Sequence, residues 1–155
     1  MASSKSNQIT TKSLMARLFR TSTFQRFAER YKGELQQPTL PEYIARLCER
    51  RGMVREQVIK RAGLDRVYGH QIFSGIRQPA RDKVIQLAFG FDMSVEEAQT
   101  LLKAARQSTL YPRIERDAAI LFCLNKHRSI DETQLLLAEL NLPLLGKESA
   151  RESSK

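Results

Sequence analysis

Apolar residues recur at helical spacing along nearly all of the chain from residue 39 onward, and no segment alternates apolar and polar positions as a strand does. This pattern predicts an all-α protein, with five helices in residues 39–107 and two more in residues 108–145. Three Ser/Thr-x-x-Glu capping boxes mark the starts of the first, fifth and seventh of these helices: Thr39/Glu42, Ser94/Glu97 and Ser129/Glu132.

The same spacing predicts which side chain positions face the core. For the helices other than the third, they are Leu40, Tyr43, Ile44, Leu47 and Cys48; Val54, Val58, Ile59 and Ala62; Val84, Leu87, Ala88 and Phe91; Val95, Ala98, Leu101, Leu102 and Ala105; Ile114, Ala118, Leu121 and Phe122; and Ile130, Leu135, Leu136 and Leu140. The sixth helix is apolar on most sides, so something must cover it. Two covers are open: an N-terminal helix of the same chain, or a second copy in a homodimer.

Residues 1–38 differ in character from the rest. They are rich in Ser, Thr, Lys and Arg and carry no acidic residue before Glu29. A cleaved transit peptide has this composition, and so does a flexible basic arm that ends near Ser13. A short amphipathic helix follows, with one apolar face formed by Phe24, Phe27, Ala28 and Tyr31, and residues 33–39 form a linker. At the other end, residues 146–155 are predicted to be a disordered tail.

Residues 58–79 hold the most informative local pattern. Gly63 lies where a tight connection between two helices needs a positive φ angle. Asp65 can cap the helix that follows, which spans residues 66–74. Gly75 supplies a left-handed stop, and Pro79 prevents the helix from resuming. Two short helices around such a turn form a helix-turn-helix, whose second helix can enter the major groove of DNA.

Charge and composition favour a polyanionic partner. The chain has 155 residues, 41% hydrophobic and 28% charged, and a net charge of +9. Residues 1–36 hold seven basic and two acidic side chains, residues 37–110 twelve and eight, and residues 111–155 seven of each. The positive charge of residues 1–110 and the neutrality of residues 111–155 predict that the first two-thirds of the chain binds nucleic acid.

Other chemistries find little support in the sequence. Cys48 and Cys123 lie in apolar helical patterns without metal-ligand spacing, which predicts buried free thiols. No apolar run is long enough to span a bilayer. His70 and His127 are isolated, and the chain has no Gly-rich phosphate loop, nucleophile elbow or HExxH motif. We therefore predict no enzyme activity, no metal and no cofactor.

The residues around the turn resemble those of the Cro/CI-repressor type of helix-turn-helix protein, the XRE family. The resemblance covers residues 40–105. It rests on Val58-Ile59, Gly63-Leu64, Ile72, Gly75, Arg77, Pro79 and the apolar helix at residues 84–88. It implies a five-helix core that binds duplex DNA through its third helix. Repression by steric block is the favoured mode of regulation, and the sequence does not decide between repression and activation.

The resemblance also implies which residues touch DNA. The exposed face at the start of the third helix reads bases in this family, and here it presents Arg66, Val67, His70 and Gln71. Arg can form two hydrogen bonds to guanine and Gln two to adenine. His can donate one hydrogen bond, and Val can touch a thymine methyl. The family's phosphate contacts come from the start of the second helix and the loop after the third, where this chain has Arg55, Arg77, Arg81 and Lys83.

Three features depart from the family's pattern. Gly69 stands where an aliphatic residue usually locks the third helix onto the second. A glycine inside a helix costs about 1 kcal/mol relative to alanine, and here it is also expected to forfeit packing. Arg66 is the one permanent positive charge on the recognition face. Phe73 stands where the family often has a glutamate. Gly69 flanked by Tyr68 and Phe73 would make an apolar docking surface, so a helix-turn-helix adapted to bind a protein partner is the alternative.

The layout of the whole chain is also similar to clostridial XRE-like proteins. The matching segments are Thr23-Phe24-Gln25-Arg26-Phe27, residues 72–83 and residues 110–117. This resemblance implies a protein of the bacterial cytoplasm and a weak link to Ser/Thr protein kinases. Phosphorylation of the Ser/Thr-rich arm would remove positive charge beside the DNA site; a plain flexible arm is the other interpretation.

Overall fold

The computed structural model of the chain describes residues 9–146, and that range is entirely helical, as predicted. The chain divides between Pro38 and Thr39 into two compact units. Most of the predicted flexible arm, residues 1–8, and all but the first residue of the predicted tail lie outside the described residues. Within the described range, no helix has the length and apolar character needed to cross a membrane.

The N-terminal unit contains three helices where the sequence predicted one. They are α1 (Thr11–Arg20), α2 (Phe24–Arg30) and α3 (Lys32–Leu35). The hydroxyl of Thr10 caps α1 by accepting a hydrogen bond from the Ser13 N–H at 3.2 Å. Phe27 is buried as predicted, but Phe24 is 64% exposed, so the predicted apolar face is only partly correct.

The second unit contains seven helices among the described residues. They are α4 (Leu40–Arg51), α5 (Arg55–Arg61), α6 (Arg66–Ser74), α7 (Arg81–Gly90), α8 (Val95–Ala104), α9 (Glu115–Asn125) and α10 (Ile130–Glu139). All three predicted capping boxes are present, with the Ser or Thr hydroxyl and the Glu carboxylate each accepting a backbone N–H. Local sequence alone therefore determines the starts of α4, α8 and α10.

One continuous core joins α4–α8 to α9 and α10. Ile120, Cys123, Leu124 and Leu137 are buried in the same cluster as Val58, Ile72 and Leu87. α9 packs against α8 and α10, and α10 also packs against α7. Its own unit therefore covers the inner face of α9. Phe122 on the outer face is 46% exposed, and an outside cover stays a prediction for that face. The predicted buried free thiols, Cys48 and Cys123, are confirmed.

Several predicted inward positions point outward instead. Their exposed fractions are Val54 65%, Ile114 52%, Phe122 46%, Leu135 62% and Leu140 41%. Val54 and Ile114 precede the first turns of α5 and α9 rather than lying inside them. In α9 and α10, apolar residues surround so much of the helix that their spacing does not identify the inner face.

Two ion pairs fasten α7 to α9. The Arg81 guanidinium binds both carboxylate oxygens of Asp117, at 3.2 and 2.9 Å, and Arg116 binds both oxygens of Asp82, at 3.0 and 2.9 Å. Burial alone would raise the pKa of Asp117. The hydrogen bonds from Arg81 and from the Tyr111 N–H outweigh that effect, so the pKa of Asp117 lies below its ordinary value.

Candidate nucleic-acid interface

Helices α5 and α6 meet around a tight turn, and each turn residue has the role that the sequence predicted for it. Gly63 has a φ angle of 69°, a left-handed conformation that side chains other than glycine rarely adopt. The Asp65 carboxylate caps α6 by accepting the Tyr68 N–H at 3.0 Å. Gly75 ends α6 with a φ angle of 85°.

Gly69 allows α6 to approach α5 closely. A methyl group added at Gly69 would lie 2.6 Å from Cγ2 and 2.7 Å from Cγ1 of Ile59. Ile59 is itself buried, so its side chain already fills the space in front of the glycine. The expectation that Gly69 forfeits packing is therefore wrong: the contact is made by Ile59 from the opposite helix.

Phe73 belongs to the core and cannot form part of an apolar docking surface. It is only 3% exposed, and the Arg55 guanidinium lies over its ring at 5.3 Å from the centroid. Gly69 is buried and Tyr68 is half-buried. The surface that the sequence predicted from Gly69, Tyr68 and Phe73 therefore does not exist.

Gln86 holds the turn from behind, which the sequence prediction missed. Its side chain is 3% exposed, and its amide nitrogen donates to the carbonyl oxygens of Ala62 and Gly63 at 3.2 and 3.5 Å. These carbonyls lie where α5 ends, so they lack a partner within that helix. A polar residue inside the otherwise apolar run of α7 was the available signal.

The exposed side of α6 forms one wall of an open concavity of about 500 Å³. It collects all four predicted base-contacting residues and one predicted phosphate-contacting residue, together with two that the sequence prediction missed. The lining residues are Arg55, Arg66, Val67, His70, Gln71, Ser74 and Ile76. Polar, basic and apolar groups thus meet on one accessible surface, which we call the α6 face.

Glu56 on α5 binds two of the predicted base-contacting side chains. Its Oε1 atom accepts a hydrogen bond from Nη2 of Arg66 at 3.1 Å and lies 3.0 Å from Nε2 of His70. The hydrogen bond from Arg66, followed by that from His70, lowers the pKa of Glu56 below its ordinary value. Glu56 therefore stays ionised at neutral pH and offsets positive charge on the α6 face.

A second polar pair orients Gln71. Its Oε1 atom accepts a hydrogen bond from Nε of Arg77 at 3.2 Å, and its backbone carbonyl accepts the Arg77 N–H at 3.2 Å. The Gln71 amide nitrogen has no partner among the hydrogen bonds of the described residues. Val67 and Ile76 beside them are 65% and 74% exposed.

The other two predicted phosphate-contacting residues are engaged inside the fold. Arg81 donates to the carbonyl oxygens of Ser108 and Thr109 as well as to Asp117, which uses four of its five N–H groups. The Lys83 ammonium donates to the Gly146 carbonyl oxygen and lies over the Tyr68 ring. Both side chains therefore hold the fold together and are not free to bind phosphate.

Comparisons with protein-family models, with curated proteins and with solved structures found no match to this chain. Among the described residues, no group of three or more His, Cys, Asp or Glu side chains is arranged to hold a metal ion.

Proposed function

We propose that the protein binds duplex DNA in a sequence-specific way and regulates transcription, with α6 in the major groove. In this proposal α4–α8 form a Cro/CI-repressor-type core, the protein acts without catalysis in the bacterial cytoplasm, and repression by steric block is its mode of action. The observation that carries the proposal is the α6 face, where Arg66, Val67, His70 and Gln71 lie side by side behind a rigid turn.

The dimensions of α6 suit a major groove. An α-helix with its side chains is about 10–12 Å across, and the major groove of B-DNA is about 12 Å wide and admits one. The glycine at position 69 brings the inner side of α6 onto α5, so the outer side stands clear of the fold. A helix held this way presents its first two turns to base edges.

The four predicted base-contacting side chains have candidate partners on DNA, and for His70 that partner is a single hydrogen-bond acceptor. The Arg66 guanidinium can bond guanine O6 and N7, the Gln71 amide can bond adenine N6 and N7, and Val67 can touch a thymine methyl. Arg55 and Arg77 flank them and supply phosphate contacts. Arg66 must leave Glu56 to do so, an exchange of one exposed ion pair for a bond to a base.

The test compares two double variants of similar chemistry on duplexes selected from a random pool by the wild-type protein. R66A/Q71A removes an arginine and a glutamine from the α6 face. Q57A/R61A removes the same residue types from exposed positions of α5 outside the concavity. We expect R66A/Q71A to lose the preference for selected over scrambled duplex, and Q57A/R61A to keep it. Retained preference in R66A/Q71A would contradict the proposal.

A two-fold dimer on a palindromic site remains part of the proposal, because two copies of α6 would then read two half-sites. The apolar outer face of α9 still lacks a cover within its own unit. Phe122 on α9 and Leu135 on α10 are exposed apolar positions that self-association would bury. Light scattering with and without selected duplex tests this: a single copy per duplex would contradict it.

A protein partner is the second candidate function, and exposed Val67 and Ile76 favour it. These side chains flank the concavity and together give it an apolar rim. The partner, for which a Ser/Thr kinase is one proposal, would dock on the α6 face in place of DNA. Under this candidate, V67S/I76S abolishes partner binding. The wild-type protein shows no preference for any duplex, so R66A/Q71A does not change its DNA binding.

A further inference from the structure

The N-terminal unit contains a basic cleft that the α6 face does not account for. An open cavity of about 570 Å³ lies between α1 and α2 and is lined by Arg17, Arg20, Arg26 and Arg30, beside Thr21 and Tyr31. No carboxylate lines it. We call these four side chains and their cavity the arginine cleft.

None of the four arginines forms an ion pair with a carboxylate among the described residues. All six ion pairs of the described residues lie in the second unit. Arg17 and Arg20 lie in the last turns of α1, where a positive charge is favourable. That effect does not apply to Arg26, in the first half of α2. Four like charges around one cavity repel one another, so the arrangement favours an anion that neutralises them.

Tyr31 arranges two of the guanidinium groups. Arg17 donates a hydrogen bond to the Tyr31 hydroxyl at 3.3 Å and lies over the ring at 5.6 Å from its centroid, and Arg30 lies over the same ring at 5.8 Å. Tyr31 in turn packs against buried Phe27, with ring centroids 4.9 Å apart. The basic groups are therefore held around a fixed aromatic centre.

Arg20 and Arg26 complete the cleft and keep most of their N–H groups free. Both are exposed, and the one side-chain hydrogen bond that either makes within the described range joins Arg20 Nε to the Ala16 carbonyl oxygen at 3.4 Å. A planar guanidinium offers paired N–H groups that match two phosphate oxygens. The available donors therefore suit oxyanions, and four positive charges around one cavity favour a ligand with several anionic groups, such as consecutive phosphates, over a single carboxylate.

We infer that the arginine cleft binds backbone phosphates of duplex DNA, as a second anchor in addition to the α6 face. The inference rests on the proposed function. The cavity is far larger than one water molecule, which occupies about 30 Å³ in the liquid, so it can take more than one phosphate. Its one lining residue of purely apolar character, Phe27, is only 3% exposed, which leaves no apolar floor for a lipid tail or a peptide anchor.

The experiment measures binding of the full chain to selected and scrambled duplexes at a series of salt concentrations. The cleft variant is R20A/R26A, which spares the residues that contact Tyr31. Its control, K103A/K126A, removes the same charge from exposed positions of α8 and of the turn after α9. A second variant, R20K/R26K, retains the positive charge and lacks the planar guanidinium groups, so it distinguishes the effect of charge from that of side-chain geometry. Circular dichroism verifies that each variant keeps its helical content.

Each phosphate contact contributes about 0.9 to the slope of log affinity against log salt. Loss of two contacts in R20A/R26A should therefore lower the slope by about 1.8, which reduces the affinity change between 50 and 200 mM salt by about 12-fold. The loss should be the same on both duplexes, because phosphates carry no sequence information. R20K/R26K and K103A/K126A should keep a slope close to that of the wild type.

The outcomes separate this inference from the proposed function. An unchanged slope in R20A/R26A, with sequence preference intact in the wild type, would overturn the cleft alone. A slope that depends on the cleft, without any sequence preference in the wild type, would support the cleft and contradict the proposed function. Absence of duplex binding by the wild type would overturn both.

Discussion

Replacement of Gly69 by alanine tests how α6 is seated on α5. Helix propensity alone would make this change stabilising by about 1 kcal/mol, because alanine is the better helix former. Here the new methyl group would lie 2.6 Å from Ile59 Cγ2, and overpacking of this kind costs about 1–3 kcal/mol. The clash outweighs the gain in most of that range, so we expect G69A to lower the free energy of unfolding by about 1 kcal/mol.

In a double-mutant cycle with Ile59, the effect of G69A on the free energy of unfolding should change sign. I59A alone should cost about 2–5 kcal/mol, since it leaves a cavity in front of Gly69. In that background the alanine methyl at position 69 fills part of the cavity, so G69A should stabilise the I59A protein by about 1 kcal/mol. Urea denaturation followed by circular dichroism measures all four proteins. Stabilisation by G69A in both backgrounds would refute the close contact between Gly69 and Ile59.

Three further changes have definite expected results. D117N should lose about 3 kcal/mol because it leaves Arg81 partly buried without its charge partner. As the pKa of Asp117 is lowered by folding, this stabilisation is present above the ordinary Asp pKa and is lost as pH falls through the folded value. Urea denaturation should thus show wild type and variant converging in acid. Q86L should lose about 1 kcal/mol, measured in the same way, because the Ala62 carbonyl loses its donor. E56Q should bind duplex DNA more tightly at low salt in fluorescence anisotropy, since Arg66 is released and a negative charge is removed; weaker binding would contradict this role for Glu56.

The sequence predicted features that depend on a few neighbouring residues. The capping boxes, the Asp65 cap and the left-handed glycines at positions 63 and 75 all have the conformations expected of them. Each of these features satisfies backbone groups at a helix end with atoms three or four residues away. No knowledge of the tertiary fold is needed to identify them.

Contacts between distant segments were beyond the sequence. Arg81 reads as a basic residue at a helix start, yet its partner Asp117 is 36 residues away. Gly69 reads as a packing defect until the position of Ile59 is known. In α9, apolar residues lie on nearly every side, so periodicity could not indicate that Phe122 would be exposed while Cys123 is buried.

The sequence predicted most of the residues of the α6 face but not the ion pairs that they form. Arg55 and all four predicted base-contacting residues share one concavity. The pairing of Arg66 and His70 with Glu56 depends on how α5 crosses α6, which residue spacing does not give. The same limit applies to the arginine cleft, since four arginines spread over residues 17–30 become a cluster only when α1 and α2 fold against each other.

The central claim is that this protein binds DNA by sequence, and a salt titration of the wild-type protein tests it most directly. Fluorescence anisotropy would compare binding to a labelled duplex from the region upstream of its own coding sequence with binding to a scrambled duplex. We predict a steep salt slope and a preference for the upstream duplex that survives at about 150 mM salt. Equal, weak binding to both duplexes that vanishes near that concentration would contradict the claim.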